Sequence, residues 1–523
     1  MLIAWHRPNG SPVPMDCRYF DTMCKRDATL TKFVFGYLLQ ATMKTTSICV
    51  LTFGYAILFL GPACRSQETE TGSLQAGFAA VDITPQQFPV NLPGGFRDNL
   101  GTKVHDKFHS RAMVLSDGQT ILTMVVVDNL GGGATELNEA KAIASKSTGI
   151  PVERMLISCT HTHSGPSSGV TSGRPAEVAY RLHFVKGVAN SIITAHQNLQ
   201  TATLGYESHP LPDEVFNRRW HLKPGKMPTN PFGEMDEVKM NPSNRPSVLD
   251  RPAGPTDPDI TVISVRDKRN KPLGLYANYS LHYVGGVPRG ELSSDYFGIF
   301  AKLMPVRMRT SDKYVAMMSN GTSGDINNIP FGEIRPPRQS YEQMNIVARK
   351  AADTAWMADQ KIDAYSGQIR LGFTQRTIVL RHRQVREETL ARAKKIVAMT
   401  DETEINKLPR LAQIYAQRTL DLAKLSNIEK SVIVQAIRIG DMCVCAIPFE
   451  TLVEIGLELK DRSPFAKTMV VSLANERYGY LPSPAQHRLG GYETWLGTNK
   501  VQKDASDIIT KNLLEMLAEL NEG

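Results

Sequence analysis

The sequence contains few cysteines, one long apolar run and no concentrated charge. Four of its seven cysteines lie before residue 66, and only Cys159, Cys443 and Cys445 occur in the rest of the chain. A C-x-C pair in an apolar segment with one distant cysteine is neither a disulfide framework nor a zinc ribbon, so we expect buried free thiols. The contents of 41% hydrophobic and 21% charged residues over 523 residues are ordinary for one large or two fused globular domains.

The net charge of +8 does not indicate a nucleic-acid partner. Residues 1–66 carry seven basic and three acidic side chains, which leaves +4 for the remaining chain. The sequence has no basic stripe interleaved with aromatic residues, and scattered Lys and Arg usually form a solvated surface. We therefore predict that the protein does not bind nucleic acid.

The one long apolar run, residues 48–60, reads as a targeting signal. Its 13 residues are too few to span a bilayer, which takes about 20. A lysine precedes the run and Gly-Pro-Ala-Cys follows it, which is the order of a secretory signal peptide. We predict a signal peptide at residues 43–66, export to an envelope-associated, periplasmic or secreted location, and no transmembrane helix in the mature chain.

Residues 1–42 show neither helical nor strand periodicity and precede the signal, so Met43 is the predicted true start. Cys64 is a candidate lipid-anchor site, although Leu-Gly-Pro-Ala-Cys is a poor match to a lipoprotein signal.

Residues 74–523 are predicted to form a single α/β domain. The apolar run "ILTMVVVD" (121–128) is typical of a strand that is buried on both faces. The amphipathic stretch 135–149 is typical of a helix. The segment "RMLISCT" (154–160) then predicts a second strand, parallel to the first. The fold class that follows is α/β, with mixed, largely buried β-sheets flanked by helices.

Polar side chains follow several predicted strands where each strand ends. His161 and His163 follow the strand at 154–160, His282 follows 273–281, Glu450 follows 442–449, and Tyr478 and Tyr480 follow 469–475. Ligands of open α/β sheets gather at the carboxyl ends of strands, and imidazole and carboxylate groups suit zinc. We therefore predict a metal site at this edge.

The stretch "SCTHTHSGPS" (158–167) leaves three interpretations open. In a strand, residues i and i+2 point the same way, so both imidazoles could bind one ion. Alternatively, one histidine binds the ion and the other acts as an acid or base. In the third interpretation, both are hydrogen-bonded structural histidines.

Several motifs together resemble those of a known family. They are "AAVDITP" (79–85), "SRAMVL" (110–115), "SCTHTHSGP", "FNRR" (216–219), "NYSLHYVGG" with "LSSDYFG" (292–298), "GTSGDINN" (321–328), "IPFE", "YGYLPS" and "GGYET". In this order, over residues 75–500, they resemble the neutral ceramidases, zinc-dependent amidases that cleave the N-acyl bond of ceramide.

The resemblance implies a set of site residues and one Zn2+ per chain. The metal ligands would be His161, His282, Glu450 and Tyr480, with Tyr478 as the less favoured alternative to Tyr480. His163 would act as the acid/base group, and Arg218 and Tyr492 would hold the substrate carbonyl or amide. The substrate would be a ceramide-like N-acyl lipid, reached by contact with a membrane surface.

Three departures from the family pattern leave alternatives. Asn327 stands where ceramidases carry a catalytic serine, and an amide cannot act as a nucleophile; Ser323 lies four residues earlier. About forty residues follow Tyr480 in this sequence, so we expect no counterpart of the immunoglobulin-like domain that follows the catalytic domain in ceramidases. The segment between Glu450 and Tyr480 is also shorter than in ceramidases. The alternatives are a related zinc amidase or esterase for a different acyl compound, or a binding protein without turnover.

Three further segments have structural predictions. Residues 220–258, rich in Pro, Asn and Gly, are predicted to cover the pocket. Residues 385–425 are predicted to form a helical hairpin. Residues 504–520 are predicted to form an amphipathic helix that packs on the domain.

Overall fold

The computed structural model describes residues 72–96, 99–425 and 427–522. These residues belong to the unit Thr69–Gly523. The predicted signal peptide at 43–66, the predicted start at Met43 and the candidate lipid-anchor site Cys64 lie outside the described residues, so they stay predictions.

The strands in chain order are β1 (Gln75–Asp82), β2 (Val90–Asn91), β3 (Leu100–Gly101), β4 (Lys103–Val104), β5 (His109–Ser116), β6 (Ile121–Val127), β7 (Met155–Cys159), β8 (Gln200–Pro210), β9 (Phe216–Asn217), β10 (Arg219–Leu222), β11 (Val238–Met240), β12 (Leu249–Pro252), β13 (Asp259–Asp267), β14 (Pro272–Tyr279), β15 (Glu291–Leu292), β16 (Val315–Asn320), β17 (Ile326–Asn327), β18 (Leu371–Arg381), β19 (Glu429–Ile439), β20 (Met442–Ala446), β21 (Glu450–Thr451), β22 (Lys467–Val471) and β23 (Tyr480–Leu481).

The α-helices are α1 (Ala134–Thr148), α2 (Pro175–Gln197), α3 (Asp295–Arg307), α4 (Glu342–Gln360), α5 (Glu387–Val397), α6 (Glu402–Asn406), α7 (Ala412–Ala423), α8 (Val453–Arg462), α9 (Pro484–Leu489) and α10 (Ala505–Glu522). Short 3-10 turns occupy Val152–Arg154, Pro212–Glu214 and Tyr492–Thr494.

Two mixed sheets face each other across the centre of this unit. The larger sheet has eight strands in the order β16-β14-β13-β8-β1-β5-β6-β7, and the smaller has four in the order β18-β19-β20-β22. Apolar side chains of both sheets, such as Met113, Tyr276, Val444 and Met469, form one buried cluster between them. The continuous apolar runs of these strands follow from burial on both faces.

Helices cover the outer faces of both sheets. Helices α1 and α2 pack on the β1–β5–β6–β7 part of the larger sheet, α3 and α4 pack on its β8–β13–β14–β16 part, and α8 and α10 pack on the smaller sheet. The result is four layers in the order helix, sheet, sheet, helix, and it confirms the predicted α/β class with buried mixed sheets.

A short segment after β22 joins the two edges of the larger sheet. The backbone N–H of Cys159 in β7 donates to the Leu473 carbonyl at 3.3 Å, and that of Asn475 donates to the Ile157 carbonyl at 2.7 Å. The N–H of Ser472 donates to the carbonyl of Asn320, the last residue of β16, at 3.0 Å. Residues 472–475 therefore tie β7 and β16, the opposite edges of one sheet, to the smaller sheet.

The predicted β-α-β unit is confirmed as β6, α1 and β7, and β6 and β7 are parallel. Gly149 ends α1 with φ 75°, as the sequence predicts. Helix α8 begins at Val453 and not at Glu450, because Glu450 and Thr451 pair with β23.

The remaining predictions for local structure are largely confirmed. Helices α5 and α7 pack through Ala393, Ile396, Ala412 and Ala416 as a helical pair. Residues 220–258, which are predicted to cover the pocket, contain most of a three-stranded sheet formed by β10, β11 and β12. The three thiols outside the N-terminal region, those of Cys159, Cys443 and Cys445, are buried and free.

Of the helices in residues 72–96, 99–425 and 427–522, none combines the length and the apolar content that a membrane crossing requires.

The C-terminal helix α10 gives a test of the packing. The side chain of Leu513 is fully buried against the smaller sheet. Leu513→Ala should lower the free energy of unfolding by about 2–5 kcal/mol in urea titrations, because it leaves a cavity. Lys511→Ala on the exposed face of the same helix should change it by less than about 0.5 kcal/mol. Equal effects of the two variants would contradict this packing.

Candidate metal centre

Four of the predicted site residues converge where strands of both sheets end. His161 lies two residues after β7, and His282 lies three residues after β14. Glu450 opens β21 and pairs with Tyr480 of β23 in parallel register. The sheets thus deliver two imidazoles, a carboxylate and a phenol to one place, all from residues that are at least nine-tenths buried.

The backbone at His161 turns sharply. His161 has φ 66°, a left-handed conformation that is uncommon for residues other than Gly, Asn and Asp. Its N–H donates to the Asn129 carbonyl at 2.9 Å. The expectation that His161 and His163 share a direction through strand alternation is therefore wrong, because the strand ends at Cys159. The turn brings the rings together instead, with centroids 4.8 Å apart. Such strain, about 1–3 kcal/mol, is typical of functional sites.

Backbone carbonyls fix the tautomers of two histidines. His161 Nδ1 lies 2.5 Å from the Leu130 carbonyl oxygen, and His282 Nδ1 lies 3.0 Å from the Ser323 carbonyl oxygen. A carbonyl only accepts hydrogen bonds, so both Nδ1 atoms carry the proton and both Nε2 atoms present a lone pair. Metal-binding histidines are commonly oriented in this way.

Both of these Nε2 atoms face the same carboxylate oxygen of Glu450. His161 Nε2 lies 3.2 Å from Glu450 Oε2, and His282 Nε2 lies 4.0 Å from the same oxygen. Both His282 Nε2 and Glu450 Oε2 are buried with no hydrogen-bond partner in the part of the chain that is described. Three acceptors that converge in a buried space need a cation among them. Ligands of one tetrahedral zinc ion lie about 3.4 Å apart, so the residues present fit such an ion.

His163 belongs to the same cluster, and its contact allows two roles. His161, His163 and His282 offer nitrogen atoms within 4.8 Å of one another, a group that could hold a metal ion. His163 Nε2 lies 3.2 Å from His161 Nε2, and its ring stacks on Tyr283 at 3.7 Å between centroids. The contact suits either two ligands of one ion or a proton donor beside a ligand.

Arg218 lies beside the cluster and is fixed by three hydrogen bonds. Its Nη2 donates to the Tyr480 hydroxyl at 3.0 Å and to the Gly324 carbonyl at 2.7 Å, and its Nε donates to Glu493 Oε1 at 3.0 Å. The fully buried Arg219 donates to the other oxygen, Glu493 Oε2, at 2.6 Å. One carboxylate therefore holds two adjacent guanidinium groups.

The two candidate tyrosines have different neighbours. The hydroxyl of Tyr478 lies 2.5 Å from His382 Nε2, and the Lys430 and Lys500 ammonium groups lie over its ring. The Tyr480 hydroxyl instead meets Arg218, and its pKa is raised well above the ordinary value, mainly by burial and next by the Glu450 carboxylate. Tyr480 therefore lies at the cluster, whereas Tyr478 contacts other groups.

Tyr492 lines a cavity of about 350 Å³ together with Glu450 and Tyr480. The Tyr492 and Tyr480 rings meet edge to face with centroids 5.5 Å apart. Burial is the main cause that raises the pKa of Tyr492 to about 12, so the hydroxyl keeps its proton near neutral pH.

Asn327 makes different contacts. Its side-chain nitrogen donates to Asn241 Oδ1 at 2.6 Å, and its side-chain oxygen accepts from the Ile329 N–H at 2.9 Å. Neither partner belongs to the histidine cluster. Ser323, the nearby hydroxyl, lies on the Nδ1 side of His282, where its Oγ donates to Asn320 Oδ1 at 2.6 Å.

Electrostatic surroundings keep His163 and His282 neutral and the Glu450 carboxylate charged. Burial, and next the neighbouring His161, hold the pKa values of His163 and His282 well below the ordinary value. Burial would raise the pKa of Glu450, but nearby His161 and Arg477 hold it well below its usual range.

Sequence reasoning missed Glu493, Tyr283 and the Leu130 carbonyl. Glu493 follows Tyr492 in "GGYET", and two adjacent arginines in "FNRR" imply an acidic partner, so this pairing had a signal in the sequence. Tyr283 follows His282 directly. The contact with the Leu130 carbonyl had no signal in the sequence, because every residue has a backbone carbonyl.

Comparisons with known proteins point to one family. The family model described as neutral/alkaline non-lysosomal ceramidase, N-terminal, matches residues 74–334. Neutral ceramidase B of Dictyostelium discoideum is 24% identical over 232 residues, which are 40% of this chain and 28% of that protein. Neutral ceramidase 1 of Arabidopsis thaliana is 23% identical over 221 residues, 39% of this chain and 25% of that protein. The chain thus spans about a quarter of the length of these curated relatives.

Solved structures show the same fold. The crystal structure of neutral ceramidase from Pseudomonas aeruginosa superposes with a TM-score of 0.63 at 16% identity, over 86% of this chain and 75% of that one. A structure of a ceramidase complexed with C2 gives a TM-score of 0.64 at 15% identity, with the same coverage.

The converging acceptors predict the effect of removing two imidazoles. The His161→Ala, His282→Ala double variant should lose bound metal, measured by mass spectrometry of protein purified without chelator, because two of the nitrogen donors are gone. His196→Ala near the end of α2 is the control and should keep the wild-type metal content. A double variant that holds as much metal as wild type would rule out this site.

Proposed function

Because the chain belongs to the neutral/alkaline non-lysosomal ceramidase family, we propose that it is a zinc-dependent hydrolase that cleaves an N-acyl amide bond. The products would be a fatty acid and an amine, and the substrate a ceramide-like lipid. The observation that carries this proposal is the convergence of the unpartnered acceptors of His282 and Glu450 with His161, beside Arg218.

Four residues would hold one zinc ion in each chain: His161, His282, Glu450 and Tyr480. Imidazole, carboxylate and phenol oxygen are donors that zinc accepts, and the Nδ1 contacts already orient both rings. The chemistry that zinc supplies when bound is activation of a water molecule and polarisation of a carbonyl group.

Arg218 and Tyr492 would hold the amide carbonyl as negative charge develops on its oxygen. Arg218 is fixed by Glu493 and the Gly324 carbonyl, so its positive charge is in position before the substrate arrives. Tyr492 keeps its proton and can donate it in a hydrogen bond. One such donor is typically worth about 3 kcal/mol of transition-state stabilisation.

His163 would carry the proton. A neutral imidazole can accept a proton from the attacking water and then give it to the amide nitrogen, so the amine leaves uncharged when the C–N bond breaks. Stacking on Tyr283 fixes the plane of the ring. No hydroxyl nucleophile is needed for this route, so Asn327 in place of the family serine is compatible with it.

Export remains part of the proposal, based on residues 43–66. The substrate would then be reached at a membrane surface.

The first test is turnover. Purified protein should release fatty acid from short-chain ceramide, detected by mass spectrometry, and a chelator should abolish the release until zinc is added back. If metal-loaded wild type is inert and only Asn327→Ser turns over, the chain is a binding protein instead. If other acyl compounds are cleaved and ceramide is not, the chain is a related amidase or esterase.

His163→Ala separates the two roles of that residue. The variant should keep its metal and lose about 10²–10⁴-fold in kcat, because proton transfer fails. His161→Ala should lose both metal and activity. Equal metal loss in the two variants would instead make His163 a ligand.

A further inference from the structure

The cavity beside the candidate site is lined by basic residues, and we call it the basic cavity. Glu450, Tyr480 and Tyr492 form the part that meets the site, and Arg418, Arg477 and Lys500 also line it. The cations come from three separate parts of the chain: helix α7, the segment after β22, and the loop before α10. Their convergence is therefore a product of the fold and not of one basic stretch of sequence.

Acidic neighbours do not cancel this charge. Arg477 Nη1 lies 3.8 Å from Glu450 Oε1, but Glu450 also faces the candidate metal ligands. Across the described residues, no ion pair is recorded for Arg418 or Lys500. Asp421 also lines the cavity, but it pairs with Lys424 at 2.9 Å.

Arg418 lies against two aromatic rings, and both arginines lie against glycines. The Arg418 guanidinium lies 5.5 Å from the ring centroid of Phe96 and 5.1 Å from that of Tyr415. A Cβ on Gly497 would lie 2.7 Å from Arg418 Cβ, and one on Gly131 would lie 2.6 Å from Arg477 Cδ. Both arginines thus occupy space that the side chain of a larger residue at these glycines would fill.

Lys500 is held close to the other cations. Its ammonium lies 5.1 Å from the ring centroid of Tyr478. Burial, followed by repulsion from Arg477 and Arg418, lowers the pKa of Lys500. An anion among these three groups would relieve that repulsion, whereas an uncharged ligand would leave it in place.

Leu422 and Leu425 are the aliphatic side chains that line the cavity, and its three basic side chains supply the charged donors that an anion needs. We propose that the basic cavity binds an anionic group of the substrate, so the preferred substrate is an N-acyl amide that carries a carboxylate or phosphate close to the scissile bond. This inference rests on the proposed amide hydrolysis.

Matched soluble substrates test the proposal. N-octanoylserine carries a carboxylate next to the amide, and N-octanoylserinamide is its uncharged counterpart with the same scissile bond. At concentrations below aggregation, wild type should give a kcat/KM at least about tenfold higher for the acid. Lys500→Gln should lower this ratio about tenfold, the effect of one lost charge-assisted hydrogen bond. Arg418→Gln should act in the same direction, after a thermal melt confirms that it folds.

Lys395→Gln is the matched control. Lys395 is exposed on helix α5, which packs on α7, and it does not line the basic cavity. It should leave the ratio unchanged. An equal fall in this variant would assign the preference to general surface charge and overturn the proposal.

Binding of octyl phosphate, measured by titration calorimetry, gives a readout without turnover. Lys500→Gln should weaken it about tenfold, and Lys395→Gln should not. Equal turnover of both serine compounds, with the ratio unchanged in Lys500→Gln, would overturn the inference and leave the amidase function intact. If neither these amides nor short-chain ceramide are cleaved, the proposed function fails. In that case, the binding of octyl phosphate still tests whether the basic cavity takes an anion. Absence of binding would overturn the inference about the basic cavity.

Discussion

Buried lone pairs that face one another repel unless a cation lies between them, and this constraint governs the centre of the protein. His161 Nε2, His282 Nε2 and Glu450 Oε2 meet where strands of two different sheets end. Backbone carbonyls fix the ring nitrogens, and the left-handed turn at His161 puts its ring where a strand could not. The fold thus holds an arrangement that is unfavourable without a ligand, which is how a site is prepared before binding.

A second constraint connects this cluster to the residues that would hold a substrate. Arg218 and Arg219 are adjacent in sequence, yet both meet Glu493. Removing the shared carboxylate would leave two buried cations without an anionic partner, a cost of several kcal/mol. Arg218 also donates to the Tyr480 hydroxyl. The ion pair of Arg218 with Glu493 therefore fixes the distance between the candidate ligands and the turn that carries Tyr492.

The sequence predicts those features of the fold and of the candidate site that depend on the local pattern of apolar and polar residues. Apolar runs located β6 and β7, and the residues after strand ends located His161, His282 and Glu450. Local pattern could not choose between Tyr478 and Tyr480, because that choice depends on Arg218, which lies more than 250 residues earlier. It also missed the turn at His161 and the small sheet within residues 220–258, since both are stabilised by hydrogen bonds to distant backbone groups.

The segment at residues 472–475 has a consequence for biosynthesis. It covers β7 and β16, the two edges of the eight-stranded sheet, and β16 ends at Asn320. At a translation rate of roughly 5–20 residues per second, both edges wait on the order of ten seconds or more after β16 is made before residues 472–475 emerge. Unpaired strand edges can pair with other chains. During that interval, the nascent chain therefore has to keep the edges at β7 and β16 from pairing with other molecules.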